Sequence, residues 1–163
     1  MTFRAARSSG SAWLIGIAAL MIGIPVLLQA LTPSRSVLLV FIATGVVAVW
    51  FVLLAIWFPS MRYELQDGEL LIAYGPVVQW RIPYRAIRGT RWQDLRLNLL
   101  ASHRLPGFAL FGVMYGGDVG VVRMCASRSL HHILLIETDH GLYGVTPADA
   151  EGFLAALQAR IRG

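Results

Sequence analysis

The pattern of apolar and polar positions changes abruptly at Pro59. Before it, residues 12–31 form a run of twenty without a charge, and residues 37–58 a second run of twenty-two. A helix of ~20 residues, rising ~1.5 Å per residue, crosses a ~30 Å hydrocarbon core. Neither run alternates apolar with polar, which excludes barrel strands and leaves helices, whose backbones are satisfied internally. Thr32-Pro33-Ser34-Arg35-Ser36 between them is long enough to reverse the chain and too short to be a domain. The pattern predicts a transmembrane hairpin over residues 1–60. A cleaved leader is the rival reading of the first run. That run exceeds the ~7–15 apolar residues of a signal core, and Leu28-Gln29-Ala30 is a poor cleavage site.

From Met61 the period becomes that of strands. Tyr63-Glu64-Leu65-Gln66 alternates, and Asp67-Gly68 is a two-residue hairpin signal. Strands are predicted over 70–74, 78–82, 87–92, 95–100, 109–115, 119–125, 132–137 and 142–145, with turns at Gly75-Pro76, Gly116-Gly117-Asp118 and Asp139-His140-Gly141. A closing helix is predicted with Thr146 as N-cap and Pro147 in its first turn. Ala150, Phe153, Leu154, Leu157 and Ile161 form its apolar stripe, and Arg160 and Arg162 complement its negative end. Residues 61–163 thus read as one mainly β domain of α+β class, a small barrel or an orthogonal sandwich of about seven strands, with the helix covering an open end or face of the sheet.

Composition sharpens this division. The chain is 56% hydrophobic and only 14% charged, against ~25% charged in ordinary soluble domains. The formal net charge is +5, and every basic residue is Arg. Arg4 and Arg7 precede the first run and Arg62 follows the second, with only Arg35 in the connecting loop. The positive-inside rule then predicts a multi-pass protein of the cell (inner) membrane with both termini cytoplasmic. The lone Cys125 has no partner for an intrachain disulfide.

Several segments, in order, give the domain a family resemblance. Tyr63-Glu64-Leu65 with Asp67-Gly68-Glu69-Leu70 resembles an opening hairpin. Ile82-Pro83-Tyr84 with Ile87 is similar to a motif following the third strand. Leu105-Pro106-Gly107-Phe108, Ile136-Glu137-Thr138 with Gly141 and Tyr143, then Thr146-Pro147 and Phe153-Leu154 complete the likeness. Together they resemble the bacterial pleckstrin-homology (PH) domain family. The resemblance implies a seven-stranded barrel capped by one C-terminal helix. Eukaryotic relatives often bind phosphoinositides through a basic loop between the first two strands. The corresponding Asp67-Gly68 is short and acidic, so that ligand does not carry over.

Chemistry-bearing residues are few. Arg81, Arg85, Arg88, Arg91 and Arg96 form a basic stretch that would contact anionic lipid headgroups or a partner, at ~1 kcal/mol per charge near a membrane surface; the alternative is a solvated sheet face. His131, His132 and His140 lack metal-ligand spacing, and Gly116-Gly117-Asp118-Val119-Gly120 lacks the Gly-Lys-Ser/Thr of a phosphate loop. Ser102, His103 and Asp94 form no ordered triad. No catalytic, cofactor or metal residue is assigned, and no nucleic-acid partner is expected. The favoured function is a membrane-anchored binding or scaffold module contacting a protein partner or itself through uncharged strands at 70–74 and 108–114. A sensor of anionic lipids is the first alternative, and an enzyme with a site at the membrane–domain junction the second.

Overall fold

A computed structural model describes residues 1–95, 104–105, 108–115, 119–128 and 130–162. By contacts the chain divides into two units. One is Gly10–Phe58; the other joins Met1–Ser9 to Pro59–Gly163.

The first unit is a helical hairpin of α1 (Gly10–Leu31) and α2 (Arg35–Trp57). Ser34 caps α2, its Oγ accepting the Val37 N–H at 3.2 Å. The Thr44 hydroxyl donates back to the Val40 carbonyl at 2.9 Å, so it is satisfied within its own helix. Both helices are long and apolar enough to cross a membrane by length and composition. Only a narrow stripe of each is buried, including Leu14 and Ala18 on α1 and Ala48 and Leu54 on α2.

The described residues of the second unit form ten strands and one helix. One sheet has the order β1-β2-β3-β4, from β1 (Thr2–Arg4), β2 (Arg62–Leu65), β3 (Glu69–Tyr74) and β4 (Val78–Pro83). The other has the order β5-β9-β10-β8-β7-β6. Its strands are β5 (Ile87–Gln93), β6 (Arg104–Leu105), β7 (Phe108–Tyr115), β8 (Gly120–Ala126), β9 (Ile133–Thr138) and β10 (Gly141–Val145). Helix α3 is Ala150–Arg162.

The expected closed seven-stranded barrel is therefore corrected to two sheets with more strands. The break lies at Pro83, which has no N–H to extend a ladder. It is followed by a 3-10 turn at Tyr84–Ala86 that redirects the chain from β4 into the second sheet. Of the strands expected to offer free edges, β3 is interior, paired with β2 and β4, and its residues Leu70–Tyr74 are buried. β7 runs between β8 and the short β6. The expected strand at 95–100 and the turn at Gly116-Gly117-Asp118 lie mostly outside the described residues.

β1 had no counterpart in the sequence reading. Thr2, Phe3 and Arg4 pair antiparallel with Glu64, Tyr63 and Arg62. The chain then crosses to the second sheet's end: Ala6 N–H donates to Thr146 O at 2.8 Å, and Ala148 N–H to Arg4 O at 2.9 Å. The segment before the hairpin thus fastens β2 to the end of β10.

The same junction moves the start of the last helix. Thr146 is buried rather than an N-cap. Its Oγ1 accepts the Ser127 N–H at 2.9 Å, and its own N–H donates to the Tyr63 hydroxyl at 3.1 Å. Asp149 caps instead, with Oδ1 accepting the Gly152 N–H at 3.0 Å. Phe153 and Leu157 are fully buried. The Phe153 ring meets Phe3 edge-on at 5.3 Å and Tyr63 at 5.9 Å.

Across the sheets, Trp80 packs edge-on against Tyr143 at 5.5 Å. In the second sheet Val113, Val122, Met124, Ile133 and Leu135 form a core cluster. Gly144 pairs with Met124 across the parallel β10–β8 ladder. A Cβ there would collide with the outer part of the Met124 side chain, which would have to move aside.

Candidate functional site

A cleft of about 620 Å³ lies at one end of the second sheet. Ligand pockets commonly span ~300–1,000 Å³. Four segments meet there. β5 ends in Trp92 and Gln93, followed by Asp94. The connection from β8 to β9 brings Arg128 and His132. The end of β10 brings Thr146, Pro147 and Ala148, and the first turn of α3 adds Ala150 and Glu151. Ala6, just beyond β1, completes the lining.

Local geometry explains how these side chains are held. Leu95 N–H donates to Leu130 O at 2.7 Å, tying the two connections together. Asp94 Oδ1 accepts the His132 N–H at 2.9 Å, and its Oδ2 lies 3.6 Å from His131 Nδ1. The His132 N–H, followed by the neighbouring imidazole, holds the Asp94 carboxyl below its ordinary range. His132 has φ 53, a left-handed conformation uncommon for a residue with a Cβ. Such conformations recur at binding sites because the surrounding structure must hold them.

Two groups are open to a ligand, and one polar atom lies unpaired beneath the surface. Gln93 Oε1 is buried without a hydrogen-bond partner among the described residues. Arg128 is exposed, with no carboxylate partner among them. Trp92 is 43% exposed, against the buried or half-buried state of the unit's other described aromatics. The arrangement offers hydrogen-bond acceptors, one guanidinium and an aromatic platform.

The arginines singled out from sequence lie elsewhere. Arg81 on β4 pairs with Glu69 at 2.9 Å, Arg88 on β5 with Asp139, and Arg91 on β5 with Glu137 at 3.0 Å. β4 and β5 are terminal strands of their sheets, so these arginines charge two edges and blunt non-specific pairing. Arg85 is exposed on the 3-10 turn, and Arg96 lies outside the described residues. His131 and His132 occupy a turn ahead of β9 rather than the strand itself, and His140 lies in the β9–β10 turn. Cys125 is buried, which pushes its thiol up to about 12. Sequence reasoning missed the cleft. Asp94 and the two histidines carry no motif that joins them in sequence, and the exposure of Trp92 leaves no mark on periodicity.

The family model described as bacterial PH domain matches residues 61–161, well over half the chain. The chain belongs to the bacterial PH domain family. No curated protein and no solved structure matches it. The PH motifs now acquire physical roles. In Ile82-Pro83-Tyr84 the isoleucine is buried, the proline ends β4, and the Tyr84 hydroxyl donates to Gln66 O at 2.7 Å. Arg160 of α3 donates to the carbonyls of Leu65 and Gln66, latching the helix onto the β2–β3 turn. In the PH opening hairpin, Tyr63 donates to Cys125 O at 2.8 Å and so joins the two sheets. Burial raises its hydroxyl far above the ordinary tyrosine value, keeping it a neutral donor. β1 is contributed from outside the matched span.

Proposed function

We propose that this chain is a membrane-anchored, non-enzymatic binding module. Its hairpin lies in the bilayer, and its PH domain contacts a protein partner or a second copy of the chain at the cytoplasmic face. The observation that carries this reading is the pairing of β1 with β2. The segments flanking the hairpin belong to one sheet, so both must occupy the same side of a membrane. Two crossings satisfy that condition and one does not. Arg4, Arg7 and Arg62 on the flanks, against Arg35 in the loop, favour the cytoplasmic side. PH domains are in general non-catalytic, in keeping with a binding role. A protein partner is favoured over anionic lipid because Arg81, Arg88 and Arg91 each already face an acid, which offsets their pull on headgroups.

Confinement to a plane raises effective concentration for a neighbour, so a weak contact suffices. Crosslinking of the full chain in native membranes should trap a specific protein neighbour or a homo-oligomer. A strictly monomeric, uncrosslinked chain would overturn the reading. Reporter fusions after Gly163 and within residues 32–36 test the topology; strong periplasmic activity from the first would refute it.

A further inference from the structure

Opposite charges line the cleft at the end of β5 without meeting. Asp94 and Glu151 contribute two carboxylates and Arg128 a guanidinium. All three residues are exposed, yet no ion pair joins Arg128 to either acid. Each charge sits on a different segment. Asp94, just beyond β5, is tied through Oδ1 to the His132 N–H at 2.9 Å. Arg128 belongs to the connection between β8 and β9. Glu151 is in the first turn of α3. Asp149 already caps that helix through the Gly152 N–H, and Glu151 has no cationic partner among the described residues. The exposed ring of Trp92 lines the same cleft, and Ala6, Pro147 and Ala148 add an apolar wall.

This charge pattern selects a class of ligand. An anion alone would be drawn to Arg128 but repelled by two carboxylates. A cation alone would suit the carboxylates but leave Arg128 unmatched. An ammonium group fits the acids together with the face of Trp92, because the negative face of an aromatic ring attracts cations and tryptophan does so most strongly. A carboxylate or phosphate fits Arg128, whose planar fork bonds two oxygens at once. We propose that the cleft binds a small zwitterion, an ammonium group joined by a short linker to a carboxylate or phosphate. The linker lies against the apolar wall. Free amino acids and zwitterionic lipid headgroups share this chemistry. Such binding goes beyond the protein contact proposed above and does not depend on it.

The site lies far from the Asp67-Gly68 turn, the position at which eukaryotic PH relatives take phosphoinositides. Gly68 O accepts the Tyr84 N–H at 3.1 Å, and Ala86 O accepts the Asp139 N–H at 3.0 Å. The β2–β3 and β9–β10 turns therefore gather at the start of β5, whereas the cleft lies at its end. Ile87 to Gln93 is six strand steps, ~20 Å at ~3.4 Å each.

The test uses the full chain in dodecyl maltoside, an uncharged detergent that brings no zwitterion of its own. Ligand-observed saturation-transfer NMR compares two zwitterionic probes, β-alanine and glycerophosphoethanolamine, with the single-charge probes ethanolamine, propionate and glycerol phosphate. At least one zwitterion should bind tenfold or more tightly than every single-charge probe. Binding of β-alanine alone supports the proposal with a soluble amino acid as the source, and binding of glycerophosphoethanolamine alone supports it with a lipid headgroup. Arg128→Glu and Glu151→Gln, both at exposed positions outside the core, should each weaken that binding at least fivefold with the melting temperature unchanged. Asp67→Asn, in the turn at the far end, should leave it unaltered. Binding of neither zwitterion, or a margin below tenfold over the single-charge probes, would overturn the proposal. So would indifference to both cleft substitutions, or loss of binding on Asp67→Asn. Failure of the protein-contact reading is seen separately, as a full chain that crosslinks to no protein in native membranes.

Discussion

Leucine, isoleucine and valine meet opposite fates in the two units. In the PH unit Leu70, Ile72, Ile133 and Leu134 are completely buried. In the hairpin Leu20, Leu39 and Val46 are 61%, 68% and 69% exposed. Two sheets and a helix provide facing layers that cover one another's apolar sides. Two helices cover only the stripe along which they touch. Apolar side chains around the rest of the hairpin are left uncovered within the chain, and the proposed anchoring would place them against lipid. The contrast teaches that hydrophobicity alone does not say where a residue goes; the geometry of the available partners does.

Truncating the PH core should have the largest effect. Phe153→Ala removes the ring packed between Phe3 and Tyr63, at about 3–5 kcal/mol. Thermal melting of the full chain followed by near-ultraviolet circular dichroism should show it, with the helical far-ultraviolet signal of the hairpin retained. Loss of both signals together would break the division into two units.

A charge at the middle of the hairpin comes next. Leu20→Arg should cost about 2.5–3.5 kcal/mol of membrane insertion. In water the same exposed substitution would be within about 0.5 kcal/mol. Carbonate extraction reads the difference, and full retention of the variant in the membrane fraction would argue against a lipid-facing Leu20.

Smaller again is the junction between the sheets. Tyr63→Phe leaves the Thr146 N–H and Cys125 carbonyl without their buried partner, at about 1–3 kcal/mol. Chemical denaturation of the PH unit measures it. Proteolysis of the segment before the hairpin should quicken as well, because Thr146 also anchors Ala6.

The smallest effect concerns Asp94. Its carboxyl lies below the ordinary 3.8 when folded. The ordering it contributes is thus complete above that value and lost as pH falls through the lower folded one. Exchange of the His132 amide should accelerate in that acid range. Asp94→Asn should remove this pH dependence while leaving the core unchanged. Acceleration at neutral pH in the parent chain would contradict the hydrogen bond.

Much of the fold was legible wherever the signal is local. Uncharged runs of twenty residues mark helices, Asp67-Gly68 marks a hairpin with Gly68 at φ 93, and a three-and-four spacing marks the stripe of α3. Less of the candidate site was legible. Trp92, Arg128, His132 and Glu151 are separated by up to sixty residues, and no periodicity links them.

What the amino-acid sequence determined by itself is the order of elements, the apolar hairpin and the membership of residues 61–161 in the PH family. What only the tertiary structure decided is pairing at a distance. Thr2–Arg4 is too short to show a period, and it becomes a strand because β2, some sixty residues later, offers it an edge. Thr146 has the side chain of an N-cap, yet the Ser127 N–H claims its hydroxyl and helix initiation passes to Asp149. In both cases local propensity is worth about a kcal/mol or less per residue. A buried set of hydrogen bonds and aromatic contacts outweighs it once the chain has brought the partners together.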